Sequence, residues 1–384
     1  MHTFAFAMLG ALLPFLFTFG SAASGKFWII TDWHLDMGYA PADNATRLDP
    51  SLGSVFELCH IETSQKQLRP GVYGGFGCDS TLNLWHAALG HMRQQEPKPD
   101  FILWLGDNYG HTQPPETEAN VIGSTNLLGK LIREYFPGVK VVPAVGNHDT
   151  FPYNSDPGPS FYAKICEGWE SWLTDQAVHG PKNISAVTSC AAMGSFVVQV
   201  APGVRVFSLN TQRLSTNEAL PLLETALRDA ESDNQTVLIA AHIPIGPSAC
   251  YECSSTDGFE GDVWSQAFQL PFVRLMQRYN HTVKGIFSGH THSDEFRVLR
   301  TLGRGDGTPK LPVMPVYIMP SLPPYNPSTN PAVRLFTFDT SIAEVITDYA
   351  QHTLLLDASN ALHSDTWDVY RSMRRGIHGT CVDQ

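Results

Sequence analysis

Short apolar runs alternate along this chain with stretches whose apolar positions recur at helical spacing. Residues 26–31, 101–105, 139–145, 236–241 and 283–287 are unbroken or nearly unbroken apolar runs of strand length. Between the first three, Leu82, Trp85, Leu89 and Met92 fall on one face of a predicted helix. Val121, Leu128, Ile132 and Tyr135 mark a second. Strand alternating with helix predicts an α/β domain.

The residues just beyond each run turn the picture from architecture to chemistry. The first run ends in Asp32-Trp33-His34, the second in Gly106-Asp107-Asn108 and the third in Gly146-Asn147-His148-Asp149. The fourth leads into His242 and the fifth into Gly289-His290-Thr291-His292. In open α/β sheets, ligands bind beyond the carboxyl ends of the strands, so five loops are expected to converge on one site. Imidazole nitrogen and carboxylate oxygen suit zinc and its neighbours. If the chain stays extended, Asp32 and His34 project the same way, as do His290 and His292. A single Asp-x-His is a common surface feature; five donor groups in order, each at a strand end, are not a common coincidence.

Composition adds compartment and excludes some partners. The chain has 384 residues, 43% of them hydrophobic, enough for one large core. Its net charge of -12 argues against a nucleic-acid polymer as partner, which needs a cationic footprint. An apolar run from Phe4 to Phe19, followed by Gly20, Ser21, Ala22 and Ala23, predicts a secretory signal peptide over residues 1–23. No later stretch approaches the ~20 apolar residues of a membrane span. Glycan acceptor motifs start at Asn44, Asn183, Asn234 and Asn280. Seven cysteines suit an oxidising compartment. Cys59 with Cys78 and Cys166 with Cys190 are the candidate pairs, Cys250 and Cys253 form a local one, and Cys381 is left over.

As a set, Asp-x-His, Gly-Asp, Gly-Asn-His-Asp, His and Gly-His-x-His resemble the calcineurin-like metallophosphoesterases. The intervening text narrows the likeness to the acid sphingomyelinase-like phosphodiesterases: Phe76-Gly-Cys-Asp-Ser80, residues 99–104, residues 289–297 and residues 330–336. The resemblance implies a four-layer sandwich, two mixed β-sheets flanked by helices, over residues 24–350. A short, helical and shortened C-terminal region would occupy 351–384. It implies two Zn2+ ions, one on Asp32, His34, Asp107 and His292, the other on Asp107, Asn147, His242 and His290. Asp107 would bridge the two, a metal-activated hydroxide would attack phosphorus, and His111 and His148 would lie near the scissile phosphate as proton donors. Asp36 and Asp149 would orient metal-bound histidines.

The expected protein is therefore a secreted, extracellular or lysosomal phosphodiesterase for small nucleotide-type or phosphocholine-type substrates. Two alternatives stay open: a sphingomyelin phosphodiesterase, and a non-catalytic secreted regulatory protein with structural metals. The first is weakened because Asp32 follows the expected cleavage site by only about eight residues, which leaves no room for a saposin-like module. Purple acid phosphatases need a tyrosine where this chain has Gly110. Trp33 and Tyr109 flank the predicted ligands and are candidates either for stacking on a base or for core packing. Arg304-Gly-Asp306 reads as a turn. His60, His86, His91, His179, His281, His352, His363 and His378 are expected on surfaces or in structural roles.

Overall fold

Phe27 shows why the sheets assemble as they do. It lies on β1 (Ser24–Ile30), stacked at 4.5 Å on Phe101 of its neighbour β2 (Phe101–Trp104). On its other side it stacks at 5.3 Å on Phe336 of β10 (Ala332–Asp339). Its edge meets Phe287 of β7 (Val283–Ser288), in a second sheet, at 5.6 Å. Strand side chains alternate between faces, so Phe27 fills the gap between the sheets while Trp28 points to the opposite, helix-covered face. Both faces of β1 are buried, and so its run reads as continuous rather than alternating.

The computed structural model describes residues 23–39, 71–111, 116–174, 185–213, 218–246, 264–302, 311–324 and 329–370. The first sheet has the order β12-β11-β10-β1-β2-β3, where β3 is Lys140–Pro143, β11 Ile346–Leu354 and β12 Trp367–Tyr370. Strands β1, β2 and β3 run parallel; β10, β11 and β12 are antiparallel additions. The second sheet has the order β4-β5-β6-β7-β9-β8. Its parallel centre is β5 (Val204–Leu209), β6 (Thr236–Ala241), β7 and β9 (Pro312–Ile318). Its antiparallel edges are β4 (Phe196–Ala201) and β8 (Glu295–Arg300).

Helices cover the outer faces. α1 (Leu82–Gln95), α2 (Glu118–Tyr135) and α3 (Pro159–Leu173) pack on the first sheet through Trp85, Leu89, Leu128, Ile132 and Trp169. α4 (Ala186–Met193) is joined to α3 by a Cys166–Cys190 disulfide, one of the candidate pairs. On the second sheet, α5 (Ala219–Ser232) and α6 (Gln266–Arg278) bury Leu223, Leu227, Phe268 and Phe272 in a separate cluster. The result is the expected four-layer α/β sandwich. Helix starts are locally encoded: the Thr81 hydroxyl accepts the Leu84 N–H and the Thr117 hydroxyl that of Asn120, leaving fewer orphan donors. The α1 face differs at one position, since Leu82 is exposed and Leu84 buried. The expected boundary at residue 350 falls inside β11, and a short α7 (Leu356–Leu362) precedes β12.

The signal peptide, Cys59, Cys250, Cys253, Cys381, Asn44, Asn183 and residues 304–306 lie outside the described residues. Cys78 is disulfide-bonded. Asn234 and Asn280 are exposed, each following a helix. Among the described residues, no helix is long and apolar enough to cross a membrane.

Candidate metal centre

Beyond Ile30 the chain leaves the strand but keeps its neighbour. Asp32 N donates to Gly106 O, Trp33 N and His34 N to Asp107 O, and Leu35 N to Asn108 O, at 2.8–3.0 Å. The loops after β1 and β2 are thereby laced side by side. From the other sheet, the His290 N–H donates to the Asp32 carboxylate at 3.0 Å, and Gly289 N to His242 O at 2.9 Å. Five loops from two sheets thus close on one point.

The backbone here is not extended. Asp32, His34, Asp107, His290 and His292 all have positive φ, at 51°, 29°, 59°, 73° and 57°. The reason given for Asp32 and His34 projecting together, an extended strand, is therefore corrected: tight left-handed turns bring them together instead. Such turns cost on the order of 1–3 kcal/mol per non-glycine residue and persist where the surroundings impose them. The neighbouring glycines are part of that imposition. A Cβ on Gly289 would lie 2.3 Å from the Asp32 carboxylate. One on Gly146 would lie 2.1 Å from Asp107 Oδ1 and 2.4 Å from Asp107 N. Gly146→Ala is expected to destabilise the protein by roughly 1–3 kcal/mol and to lower its metal content. Unchanged urea midpoint and unchanged metal content would contradict that.

All seven predicted ligand side chains converge, and all are buried except His290, which is partly covered. Asp107 Oδ2 lies 3.0 Å from His242 Nε2 and 3.6 Å from His34 Nε2, between two clusters. On one side, His34 Nε2 and His292 Nε2 face each other at 3.1 Å, with Asp32 Oδ1 3.5 Å from the latter. On the other, Asn147 Oδ1 sits 3.0 Å from His242 Nε2 and 2.9 Å from His290 Nδ1. Two imidazole nitrogens pointed at one another in a buried site are a donor set arranged for a cation. The chemistry of the set fits two borderline divalent metals.

Backbone carbonyls fix the tautomers. His34 Nδ1–H donates to Tyr109 O at 3.0 Å and His242 Nδ1–H to Leu105 O at 2.7 Å, leaving both Nε2 lone pairs aimed inward. The role expected of Asp149, orienting a metal-bound histidine, is corrected accordingly. Its carboxylate accepts the N–H groups of Gly146, Asp107 and Asn108 at 2.7–2.9 Å, clamping the β2 and β3 loops together. Asp36 accepts the Gly38 N–H in its own turn.

His111 and His148 both reach the site. Their rings lie 4.1 and 4.7 Å from that of His34 and 4.5 Å from each other. Either can join a metal-sized group, with His34 and His292 or with His34 and Asp107. Their electrostatics differ. Burial pulls His111 down, but the charge and hydrogen bond of Asp79 outweigh it and hold the imidazole above its ordinary value. Burial takes His148 down to about 3, with Asp107 opposing and His111 reinforcing. Burial likewise opposes ionisation of Asp107, yet His242 and His148 overcome it and keep the carboxyl well below its usual range.

Asp79 is a residue of the candidate site that sequence reasoning missed. It accepts both the ring Nδ1–H of His111 at 2.7 Å and the His111 backbone N–H at 2.6 Å. It was visible only as part of Phe76-Gly-Cys-Asp-Ser80, and nothing in a lone Asp 32 positions upstream announces a histidine partner. Trp33 and Tyr109, by contrast, are core: Trp33 packs 5.3 Å from Trp85 and both are almost fully buried. His91 and His352 bond to each other, buried under Trp367, in the structural role expected of them.

The sequence profile of the calcineurin-like phosphoesterases matches residues 25–294, and the chain belongs to that family of phosphoester hydrolases, whose members carry a dinuclear metal site. Among curated proteins it is similar to "Acid sphingomyelinase-like phosphodiesterase 3b" of Homo sapiens, 30% identical over 94% of this chain and 78% of that one. It is also similar to "Cyclic GMP-AMP phosphodiesterase SMPDL3A" of Homo sapiens, 27% identical over 90% of this chain and 74% of the other. "Sphingomyelin phosphodiesterase A" of Dictyostelium discoideum is 27% identical, but this chain spans only 55% of it. Among solved structures, PhoD shares the fold at TM-score 0.51 and 10% identity, over 92% of this chain and 70% of PhoD.

Proposed function

We propose that the chain is a secreted, dinuclear-zinc phosphodiesterase acting on small soluble phosphodiesters or phosphoanhydrides. The observation that carries this reading is the Asp107 carboxylate placed between His34 and His242, one from each cluster. In this reading Asp32, His34, Asp107 and His292 hold one zinc, and Asp107, Asn147, His242 and His290 the other. Two metals so held supply a clamp on the phosphoryl oxygens and a nucleophilic water of lowered pKa.

The protein's own contribution is geometric and acid–base. Carbonyl-anchored His34 and His242 keep their orientation without reorganising. His111, held protonated by Asp79, gives its proton to the departing oxygen, a role typically worth ~10²–10⁴-fold. His148 stays neutral and offers a hydrogen bond rather than a charge. The names of the relatives, both phosphodiesterases, support the reaction class. The Cys166–Cys190 disulfide and the exposed acceptor asparagines Asn234 and Asn280 support passage through an oxidising, glycosylating compartment.

The test is hydrolysis of bis(4-nitrophenyl) phosphate, 4-nitrophenyl phosphate, ATP, CDP-choline and sphingomyelin vesicles at pH 5 and pH 7, with metal content measured on the same sample. Turnover of a soluble diester or anhydride with about two zincs bound is expected. Turnover of sphingomyelin alone would replace the substrate class, and full metal loading without turnover would replace the enzyme with a regulatory protein.

A further inference from the structure

Arg334 on β10 is a full positive charge in the space between the two sheets. Side chains alternate along a strand, so Arg334 shares the face of Phe336, whose ring meets Phe287 and Tyr317 of the second sheet at 5.3 and 5.4 Å. The residue is only 2% exposed. A guanidinium keeps its charge on burial, and a buried charge is tolerated where it is paired and hydrogen-bonded. Arg334 Nη2 pairs with Asp294 Oδ1 at 2.6 Å and donates to Gln351 Oε1 of β11, and the guanidinium carbon lies 4.5 Å from the centre of the Tyr349 ring. Nε has no acceptor among the described residues, and Asp294 is the carboxylate that answers the charge.

Asp294 follows His292 by two residues and immediately precedes β8. The other end of this loop is tied into the centre, where Gly289 N donates to His242 O at 2.9 Å and His290 N to the Asp32 carboxylate at 3.0 Å. His290 and His292 take left-handed turns, with φ of 73° and 57°, that the surroundings have to impose. His292 therefore lies between two anchors, one within the centre and one on the first sheet. Arg297, the cation next in sequence, does not compete for Asp294, because it is engaged by Glu295 at 3.0 Å and by Ile245 O at 3.1 Å. The Asp294 side chain is half exposed, so the firmness of the hold comes from the Arg334 end, where losing the partner strands a buried charge.

We propose that Arg334, acting through Asp294, is a positioning residue that holds His292 against His34 and thereby sets the affinity of the one zinc those two histidines serve. The proposal rests on the two-zinc reading above. The other zinc depends on this loop through His290, whose backbone is fixed by Asp32 at the opposite anchor, so the hold at Asp294 acts on one metal position and not on both. Partners that orient a metal ligand without touching the metal typically change its affinity by about 10–100-fold. Arginine suits this place because its fork stays charged and keeps a fixed direction when buried, which a lysine does less well.

Two measurements on the full chain test this, neither of them turnover. In the first, zinc is titrated into metal-free protein in competition with a chromophoric chelator, for wild type, Asp294→Ala, Arg334→Met, Arg334→Lys and the Asp294→Ala/Arg334→Met double variant. Asp294→Ala and Arg334→Met should each weaken one zinc by about 10–100-fold and leave the other unchanged. The double variant should lose no more than the worse single one, because the two side chains act as a unit, and Arg334→Lys should recover part of the loss. Equal weakening of both zincs together with a lower urea midpoint would reduce Arg334 to a structural role and overturn the proposal. Unchanged affinities, or single losses that multiply in the double variant, would also overturn it. In the second, hydrogen exchange is followed in metal-free wild type and Asp294→Ala, a variant at a half-exposed position that does not empty the core. Exchange should speed up at residues 289–294 and stay unchanged at 105–108; no change at 289–294 would overturn the hold. Faster exchange there in a protein whose wild type binds no zinc or hydrolyses no phosphodiester would leave the hold standing and refute the reading of a two-zinc phosphodiesterase.

Discussion

Asp107→Asn is expected to lower kcat on any accepted phosphodiester by at least about 10³-fold and to reduce bound metal below two per chain. The substitution is nearly isosteric, so it tests charge rather than space. Asp107 Oδ2 is the oxygen between His34 and His242, and Oδ1 already accepts the His148 N–H at 2.7 Å. An amide keeps one oxygen but removes the negative charge that both cations would share. A single zinc lowers the pKa of water from 15.7 to about 7, so losing even part of that effect dominates every other contribution here. Metal analysis and steady-state kinetics on one preparation check the prediction. Retention of two metals with near wild-type turnover would show that Asp107 is not the bridge.

The second large effect belongs to His111. His111→Ala is expected to cost ~10²–10⁴-fold in kcat while leaving the metals bound. The pH profile carries more information than the rate. The Asp79 ion pair holds the imidazole above its ordinary 6.5, against the pull of burial. A proton donor with a raised pKa stays competent to higher pH, and activity falls as pH rises through that pKa. Asp79→Asn removes the counter-charge, so the alkaline limb of kcat should move to lower pH. Bound cations would push in the same direction, which makes Asp79 the main opposing influence. An unchanged alkaline limb in Asp79→Asn would show that another group sets it. A fully active His111→Ala would move the donor role to water or to His148, although burial holds His148 down at about 3.

Why some of this was legible beforehand depends on how far each interaction reaches along the chain. The runs at 26–31, 101–105, 236–241 and 283–287 each became a strand because both faces of those strands are buried and the pattern is continuous. Ends shifted by a residue or so, as at Lys140–Pro143, where pairing with β2 sets the limits rather than hydrophobicity. The antiparallel additions β8, β10, β11 and β12 had weaker signals. In β8, every second residue is exposed and the strand is half open to solvent.

The residues of the centre were readable for a related reason. Each donor follows a strand, and the parallel strands β1, β2, β3, β6 and β7 bring their carboxyl ends to one edge of the sandwich. That much is decided by residue type and position, which the chain states directly. The backbone that delivers the donors was not readable. Asp32, His34, Asp107, His290 and His292 take left-handed turns that none of them prefers, because loops from two sheets hold them there by hydrogen bonds between segments far apart in the chain.

The candidate donor set, its strand-end placement and the α/β class were therefore legible in the sequence alone, since local periodicity and side-chain chemistry suffice for them. The pairing of Asp79 with His111, the anchoring of His34 and His242 by backbone carbonyls, the burial of Trp33 and Tyr109 and the pairing of Arg334 with Asp294 were decided only in the tertiary structure. Each depends on which loops meet when two sheets pack face to face, and contacts between distant loops leave no periodic trace along the chain.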